Sequence, residues 1–259
     1  DWWFYAEKLR AKKYNFNEES LRPYFELNNV LNGMFEVANK LFGITLTERT
    51  DLPIYHEEAK VFEVRDQNNN HVGILYADFF PRASKSGGAW MNSFMKQHYK
   101  DGQRVAPVIS IVCNFTKPTG DKPSLLNFDE VSTLYHEFGH ALHGLLSDCT
   151  FYNQSGTSVP RDFVELPSQI MENWAGEPEV IKMYAKHYKT GETIPDELIQ
   201  KMKDAGKFNQ GFELTEFIGA GLLDMYWHTE KDAYTKDVKA FENEVRAKIG
   251  LIDEIEFRY

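Results

Sequence analysis

Apolar residues recur at helical spacing between residues 20 and 42. The positions that show it are Leu21, Tyr24, Phe25, Val30, Leu31, Met34, Phe35, Ala38, Leu41 and Phe42. Residues three or four positions apart share one face of an α-helix. Ser20 is suited to cap the start of such a helix and Gly43 to cap its end. The pattern therefore predicts an amphipathic helix over residues 20–42, preceded by another over residues 1–14.

After residue 60 the pattern changes to short β-like runs. Residues 61–64 and 72–79 are rich in strand-forming side chains, and the polar residues 66–70 between them predict a hairpin turn. A flexible stretch over residues 81–88 follows. The run Val-Ile-Ser-Ile-Val at residues 108–112 then predicts a further buried strand. A small sheet is therefore expected between helical regions.

Helical periodicity returns after Asn127. Asn127 and Glu130 have the spacing of a capping box. Predicted helices cover residues 128–147, 161–188, 195–205, 210–232 and 236–249. In the second of these, the side expected to be buried carries Phe163, Leu166, Ile170 and Trp174.

The expected fold is α+β and predominantly helical, with the small sheet preceding the helix over residues 128–147. The chain is expected to form a single region over residues 1–259. Within it, residues 1–55 are helical, residues 56–118 contain the sheet, and residues 119–259 are helical again.

Charge and composition argue against several classes of function. The 39 acidic and 29 basic side chains give a formal net charge of −10, which argues against non-specific binding to nucleic acid. No apolar run approaches the roughly 18 residues of a membrane span, so no membrane role is expected. Cys113 and Cys149 are too few for a disulfide framework in a chain of 259 residues, which makes a reducing compartment plausible.

The helix over residues 128–147 carries a metal-binding pattern, His136-Glu137-Phe138-Gly139-His140. Two His residues four positions apart project from one face of a helix, within reach of one Zn²⁺. A catalytic zinc needs a third protein ligand. His143 lies seven residues after His136, about 10 Å along the helix axis, too far to join easily. The following helix offers three carboxylates, and spacing alone does not choose among Asp162, Glu165 and Glu172.

Two longer motifs extend the pattern. They are His-Glu-Phe-Gly-His-Ala-Leu-His-Gly at residues 136–144 and Arg-Asp-Phe-Val-Glu-Leu-Pro-Ser-Gln at residues 161–169. In both, the chain resembles the thimet-oligopeptidase-like zinc peptidases. Residues 82–91 and 112–115 make it most similar to the bacterial peptidyl-dipeptidases, also called dipeptidyl carboxypeptidases.

The resemblance implies a zincin-like core in which His136, His140 and Glu165 hold one Zn²⁺ and Glu137 is the general base. It also implies short peptides as substrates, release of C-terminal dipeptides, and a cytoplasmic location. The chain would be the catalytic core of a longer enzyme, completed by N- and C-terminal portions that this sequence lacks.

Further residues are expected around the metal. The resemblance places Gly87, Gly88 and Ala89 near the substrate, where missing side chains permit close backbone approach. His143 is a further candidate to line the cleft. Ser168, Gln169 and Glu172 share a helical face with Glu165 and are candidates to orient the ligands. The basic groups that could hold a substrate carboxylate are Arg82, Lys85 and Arg161.

Two alternatives stay open. An oligopeptidase that cuts internally needs the same zinc chemistry, so the motif does not separate it from a dipeptidase. The chain could also bind zinc or peptides without efficient catalysis.

Overall fold

A computed structural model describes residues 2–232, 235–252 and 254–255. The chain divides into two compact units. One consists of Asp1–Tyr14 and Met202–Tyr259, and the other of Asn15–Lys201. The larger unit contains the sheet and the metal-binding pattern.

The sheet of the larger unit is mixed and has five strands. Its order is β1 (Thr45–Glu48), β2 (Lys60–Arg65), β3 (His71–Asp78), β7 (Val108–Val112) and β4 (Trp90–Met95). Strands β3 and β7 are parallel and the other neighbours are antiparallel. A separate hairpin is formed by β5 (His98–Lys100) and β6 (Gln103–Val105).

The predicted hairpin and the predicted strand at residues 108–112 are confirmed, whereas β1, β4, β5 and β6 were not predicted. Strand β1 lies within residues 1–55, which were expected to be helical. The side chains of β4 read Trp-Met-Asn-Ser-Phe-Met, which shows no regular alternation. Strand β4 lies at the edge of the sheet and all its residues are at least partly exposed, so burial imposes little pattern on it. The small sheet therefore extends one strand beyond the buried β7.

Helix α2 (Leu27–Phe42) begins later than predicted. Residues Glu18–Ser20 and Arg22–Tyr24 form 3₁₀ turns, and Glu26 caps the helix by accepting the N–H of Asn29 at 2.9 Å. Leu21 and Phe25 before α2 are nevertheless buried, which explains why they resembled a continuation of its apolar face. The helix ends at Gly43, with φ of 67°, as predicted.

Helix α3 (Phe128–Leu145) carries the metal-binding pattern, and its predicted capping box is present. Asn127 accepts the N–H of Glu130, and the Glu130 carboxylate accepts the N–H of Asn127. The helix lies against the sheet at Gly144, where an added Cβ would come within 2.8 Å of Ile109 Cδ1. Helix α3 thus packs closely on the inner strand β7 at Gly144.

The single helix predicted over residues 161–188 is three helices, α4 (Arg161–Val164), α5 (Leu166–Gly176) and α6 (Pro178–Tyr184). Pro167 has no N–H to donate to the carbonyl of Phe163, four residues earlier. The N–H of Glu165 donates to the carbonyl of Phe163 instead, and α4 ends there. Pro178 similarly begins α6 after Glu177, whose backbone is extended.

The side of α5 expected to be buried is also different. Phe163, Leu166 and Ile170 are 45%, 48% and 49% exposed, whereas the buried residues of α5 are Ser168, Met171 and Ala175. The face turned toward α3 is the one that carries Ser168, whose Cα lies close to Gly139 of α3.

Helix α7 (Asp196–Ala205) crosses the boundary between the units. The smaller unit contains α1 (Trp2–Tyr14), α8 (Gln210–Thr229) and α9 (Val238–Ile249), close to the predicted bounds; residue 1 of the first predicted helix lies outside the described residues. Its described core consists of Leu223, Phe241 and Val245. None of the described helices is both long enough and apolar enough to cross a membrane. Helices with a separate mixed sheet make the fold α+β, as predicted.

Candidate metal centre

The two His residues of α3 converge with one carboxylate. The Nε2 atoms of His136 and His140 lie 3.2 Å and 3.1 Å from the same atom, Oε2 of Glu165. The two imidazole rings are 4.8 Å apart and nearly perpendicular, at 83°. Glu165 stands at the junction of α4 and α5. The structure thus brings together the three residues that the resemblance implied as ligands.

A close contact between α3 and α5 places Glu165 there. A Cβ on Gly139 would lie 2.6 Å from Ser168 Cα and 2.8 Å from the carbonyl oxygen of Pro167, closer than atoms can approach. Only glycine therefore allows the backbone of α5 to approach α3 this closely. Gly139 lies between His136 and His140 in the sequence. The close contact of α3 with α5 at Gly139 therefore determines how far Glu165 lies from both imidazoles.

These residues fit a divalent metal such as zinc. Two imidazole nitrogens and one carboxylate oxygen form a donor set typical of catalytic zinc. Donors bound tetrahedrally at the usual zinc distances lie roughly 3.3 Å apart. The observed separations of 3.1 Å and 3.2 Å are close to that value. The centre also opens onto a cavity of about 430 Å³, which leaves space beside the three donors.

Two of the three predicted orienting residues contact the ligands. Glu172 Oε1 lies 2.6 Å from Nδ1 of His136, so a proton on Nδ1 leaves Nε2 free to bind a metal. The buried hydroxyl of Ser168 lies 3.0 Å from Oε2 of Glu165 and 2.8 Å from its backbone oxygen, and can donate to either. Gln169 is exposed and its backbone N–H donates along the helix to Glu165. Asp162 is also exposed and stands outside the ligand group.

Glu137 lines the same cavity and is buried, with 6% exposure. Within the described part of the chain, its Oε2 atom has no hydrogen-bond partner. Burial raises the pKa of Glu137 to about 7, and the negative charge of Glu165 adds to the effect. Burial also lowers the pKa of His140, which favours the neutral imidazole that binds metals. A buried acidic side chain whose Oε2 has no partner among the described residues thus lies beside His136, His140 and Glu165.

The predicted substrate residues are only partly at this cavity. Ala89 lines it, together with the side chains of Trp90 and Met91 at the start of β4. Gly87 and Gly88 directly precede Ala89 and are exposed, with no atom within 4 Å of an added Cβ.

His143 lies in a different place. It lines an apolar groove of about 480 Å³ between α3 and α5, with neighbours that include Leu142, Leu166 and Ile170. Its ring is 6.3 Å from that of Phe163, and burial lowers its pKa. Seven residues along a helix bring a side chain back to nearly the same face but about 10 Å further along the axis. That displacement separates His143 from His136, His140 and Glu165.

Sequence reasoning assigned no role to four other residues that line the cavity, Trp90, Met91, Thr157 and Val164. Trp90 and Met91 belong to the unpredicted strand β4. Thr157 follows Gly156, whose φ of 59° lets the loop turn back toward α3. A Gly in a polar loop is the only local signal for that turn.

The chain is similar in sequence to known peptidases. The profile described as Peptidase family M3 matches residues 1–256. The chain is 51% identical over 244 residues to the dipeptidyl carboxypeptidase of Escherichia coli (strain K12), covering 93% of this chain and 36% of that protein. It is 43% identical over 229 residues to oligopeptidase A of the same organism, covering 88% and 34%. It is 35% identical over 262 residues to saccharolysin of Saccharomyces cerevisiae (strain ATCC 204508 / S288c), covering 96% and 36%. The chain thus spans about a third of the length of these relatives.

Proposed function

The chain belongs to peptidase family M3, and on that premise we propose that it is the zinc-binding, zincin-like core of a peptidase that removes dipeptides from the C-termini of short peptides. One observation carries the proposal: the Nε2 atoms of His136 and His140 both lie within 3.2 Å of Glu165 Oε2, beside a buried Glu137. The name of the dipeptidyl carboxypeptidase relative supports the dipeptide specificity.

The roles of the side chains follow from their positions. His136, His140 and Glu165 hold the zinc ion. Glu172 orients His136, and Ser168 orients Glu165. A bound zinc ion would polarise the scissile carbonyl and make water more acidic. Glu137 accepts the proton of the attacking water and delivers it to the leaving amine. Its carboxylate is available for this because the described residues provide it with no competing donor at Oε2.

Strand β4 is the surface that we assign to the substrate. It is paired only on the β7 side within the described residues, so N–H and C=O groups on its outer edge can pair with an extended peptide. The start of β4 lines the metal cavity, which places a peptide paired there beside Glu137. Recognition through the backbone suits substrates of varied sequence, because it requires no particular side chain.

Internal cleavage is the alternative within the same chemistry, and oligopeptidase A is among the relatives. A peptide with an amidated C-terminus separates the two. An enzyme that recognises the free carboxylate cleaves it poorly, whereas an internally cutting enzyme cleaves it about as well as the free acid.

A second candidate function is zinc and peptide binding without efficient turnover. It requires only the three candidate ligands and the unpaired edge of β4, and the described residues contain both. Binding of an intact peptide by the zinc-loaded chain, without cleavage, would support it. The cytoplasmic location stays a prediction.

The first test is the zinc content of the purified protein beside Glu165→Ala. We expect about one zinc per chain, lost or strongly reduced in the variant, because two imidazoles alone hold zinc weakly. Glu137→Gln is the companion variant, since an amide cannot take a proton from water at neutral pH. It should keep the zinc and lose roughly 10²- to 10⁴-fold in cleavage rate. Zinc binding that is equal in the protein and in Glu165→Ala would refute the proposed ligand set.

A further inference from the structure

Residues 79–89 connect β3 to the start of β4, and the buried ammonium group of Lys85 holds the first half of this connection. The side chain of Lys85 is 3% exposed. Its Nζ lies 2.9 Å from Asp78 Oδ1, 3.0 Å from Asp78 O and 2.8 Å from Phe80 O, and it also contacts the carbonyl oxygen of Cys113. Asp78 is the last residue of β3, Phe80 lies two residues beyond it, and Cys113 directly follows β7. Lys85 is therefore a fixed anchor and is not available to bind a substrate carboxylate.

The charge of this anchor is balanced by Asp78, which is 1% exposed. Arg82 reaches the other carboxylate oxygen, Asp78 Oδ2, at 2.9 Å, and the hydroxyl of Tyr55 donates to the same atom at 3.1 Å. Burial acts to raise the pKa of Asp78, but the hydrogen bonds from Lys85 and Arg82 outweigh it and lower that pKa. The anchor is thus an ionised, hydrogen-bonded group.

A side-chain amide holds the second half of the segment. Nδ2 of Asn114, just after β7, donates to the carbonyl oxygens of Ser86 at 2.9 Å and Gly88 at 2.7 Å. The backbone between these carbonyls has little other support. An added Cβ on Gly87 or Gly88 would meet no atom within 4 Å, and Gly88 has φ of 86°. The two bonds from Asn114 therefore restrain a backbone that side-chain packing leaves free.

The restrained segment ends at the metal cavity. Ala89 follows Gly88 directly and lines the cavity with Trp90, the first residue of β4. A change in the backbone at Gly88 therefore moves the start of the strand edge assigned to peptide binding. Neither Lys85 nor Asn114 lines this cavity.

We propose that Lys85 and Asn114 are positioning residues for peptide binding, which hold residues 82–89 so that the start of β4 is presented beside the metal centre before a peptide arrives. This inference rests on the proposed function. Because the segment is already restrained in the free protein, peptide binding costs less conformational entropy. Loss of this restraint therefore weakens peptide affinity without changing zinc binding.

Asn114→Asp tests the proposal, because it keeps the shape and removes both donors. The matched control is Asn39→Asp, which removes a side-chain donor to a backbone carbonyl, that of Ile44 at 3.1 Å, away from the segment. Both are made in the zinc-loaded Glu137→Gln protein. The probe is a dansylated hexa-alanine peptide with a free C-terminus. Zinc content and hydrogen exchange of residues 82–89 are measured alongside.

We expect Asn114→Asp to keep its zinc, to exchange faster over residues 82–89, and to bind the peptide roughly 10-fold more weakly, as fits the loss of two hydrogen bonds. The control should match the parent in all three. Lys85→Met is a second variant, with the same expectation wherever it folds. Peptide affinity unchanged in Asn114→Asp would overturn the positioning role. Failure of the parent protein itself to bind the peptide would refute the proposed function, and the positioning role with it; its zinc content would show whether the metal centre had failed as well.

Discussion

Gly139→Ala is expected to damage the metal centre through backbone packing. The added Cβ would lie 2.6 Å from Ser168 Cα and 2.8 Å from Pro167 O, both backbone atoms that no side-chain rotation can move. Ordinary contact begins at 3.4 Å, so α5 must move away from α3 by about 0.8 Å at this point. Overpacking of this kind costs roughly 1–3 kcal/mol of stability.

The displacement of α5 should affect zinc affinity more than it affects the stability of the fold. A zinc site tolerates changes of about 0.2 Å in its ligand distances, and Glu165 is carried by the segment that must move. We expect zinc affinity to fall at least 10-fold. Removal of a group that hydrogen-bonds to a metal ligand has an effect of this size. The affinity is measured by competition with a chromophoric chelator. Thermal unfolding of the metal-free protein reports the separate cost to the fold.

Gly144→Ala is the control on the same helix. Its Cβ would meet Ile109 Cδ1 at 2.8 Å and Met91 Cε at 2.9 Å, the far ends of flexible side chains that can turn aside. It should lose some stability and keep its zinc affinity. A folded Gly139→Ala protein that binds zinc as tightly as the parent would refute the argument that the α3–α5 distance determines the ligand geometry.

Three further outcomes follow from the same contacts. Glu172→Gln replaces the carboxylate 2.6 Å from a ligand imidazole by a neutral group, and should weaken zinc binding roughly 10- to 100-fold in the chelator assay. Gly33→Ala places a Cβ 2.5 Å from Tyr184 Cβ and should cost roughly 1–3 kcal/mol in urea unfolding, with zinc affinity unchanged. Asp78→Asn leaves the buried Lys85 ammonium without its counter-charge and should cost roughly 3–5 kcal/mol at pH 7. Because the folded-state pKa of Asp78 is below the ordinary value of an aspartate, the stability it contributes is complete well above that ordinary value and is lost as pH falls through the lower folded value. Urea unfolding from pH 6 down to pH 3 should therefore show the variant and the parent converging.

Local signals along the chain were sufficient for much of the fold. The capping box at Asn127 and Glu130 and the left-handed Gly43 each act within one turn of helix, so neighbouring residues specify them. The hairpin of β2 and β3 has a polar turn between apolar runs, which is again a local pattern. Strand β4 has no such pattern, because an exposed edge strand needs no regular alternation of side chains.

The sequence by itself determined the helix that carries His136 and His140, because a spacing of four residues brings two side chains to one face of any α-helix. It left the third ligand open among three carboxylates, and only resemblance to a family favoured Glu165. The tertiary structure brought Glu165 to both imidazoles through the contact of Gly139 with the backbone of α5. It also turned Glu172 toward the far side of one imidazole and placed His143 in a separate groove. Distances between helices depend on how their surfaces pack, and residues far apart in the chain decide that jointly.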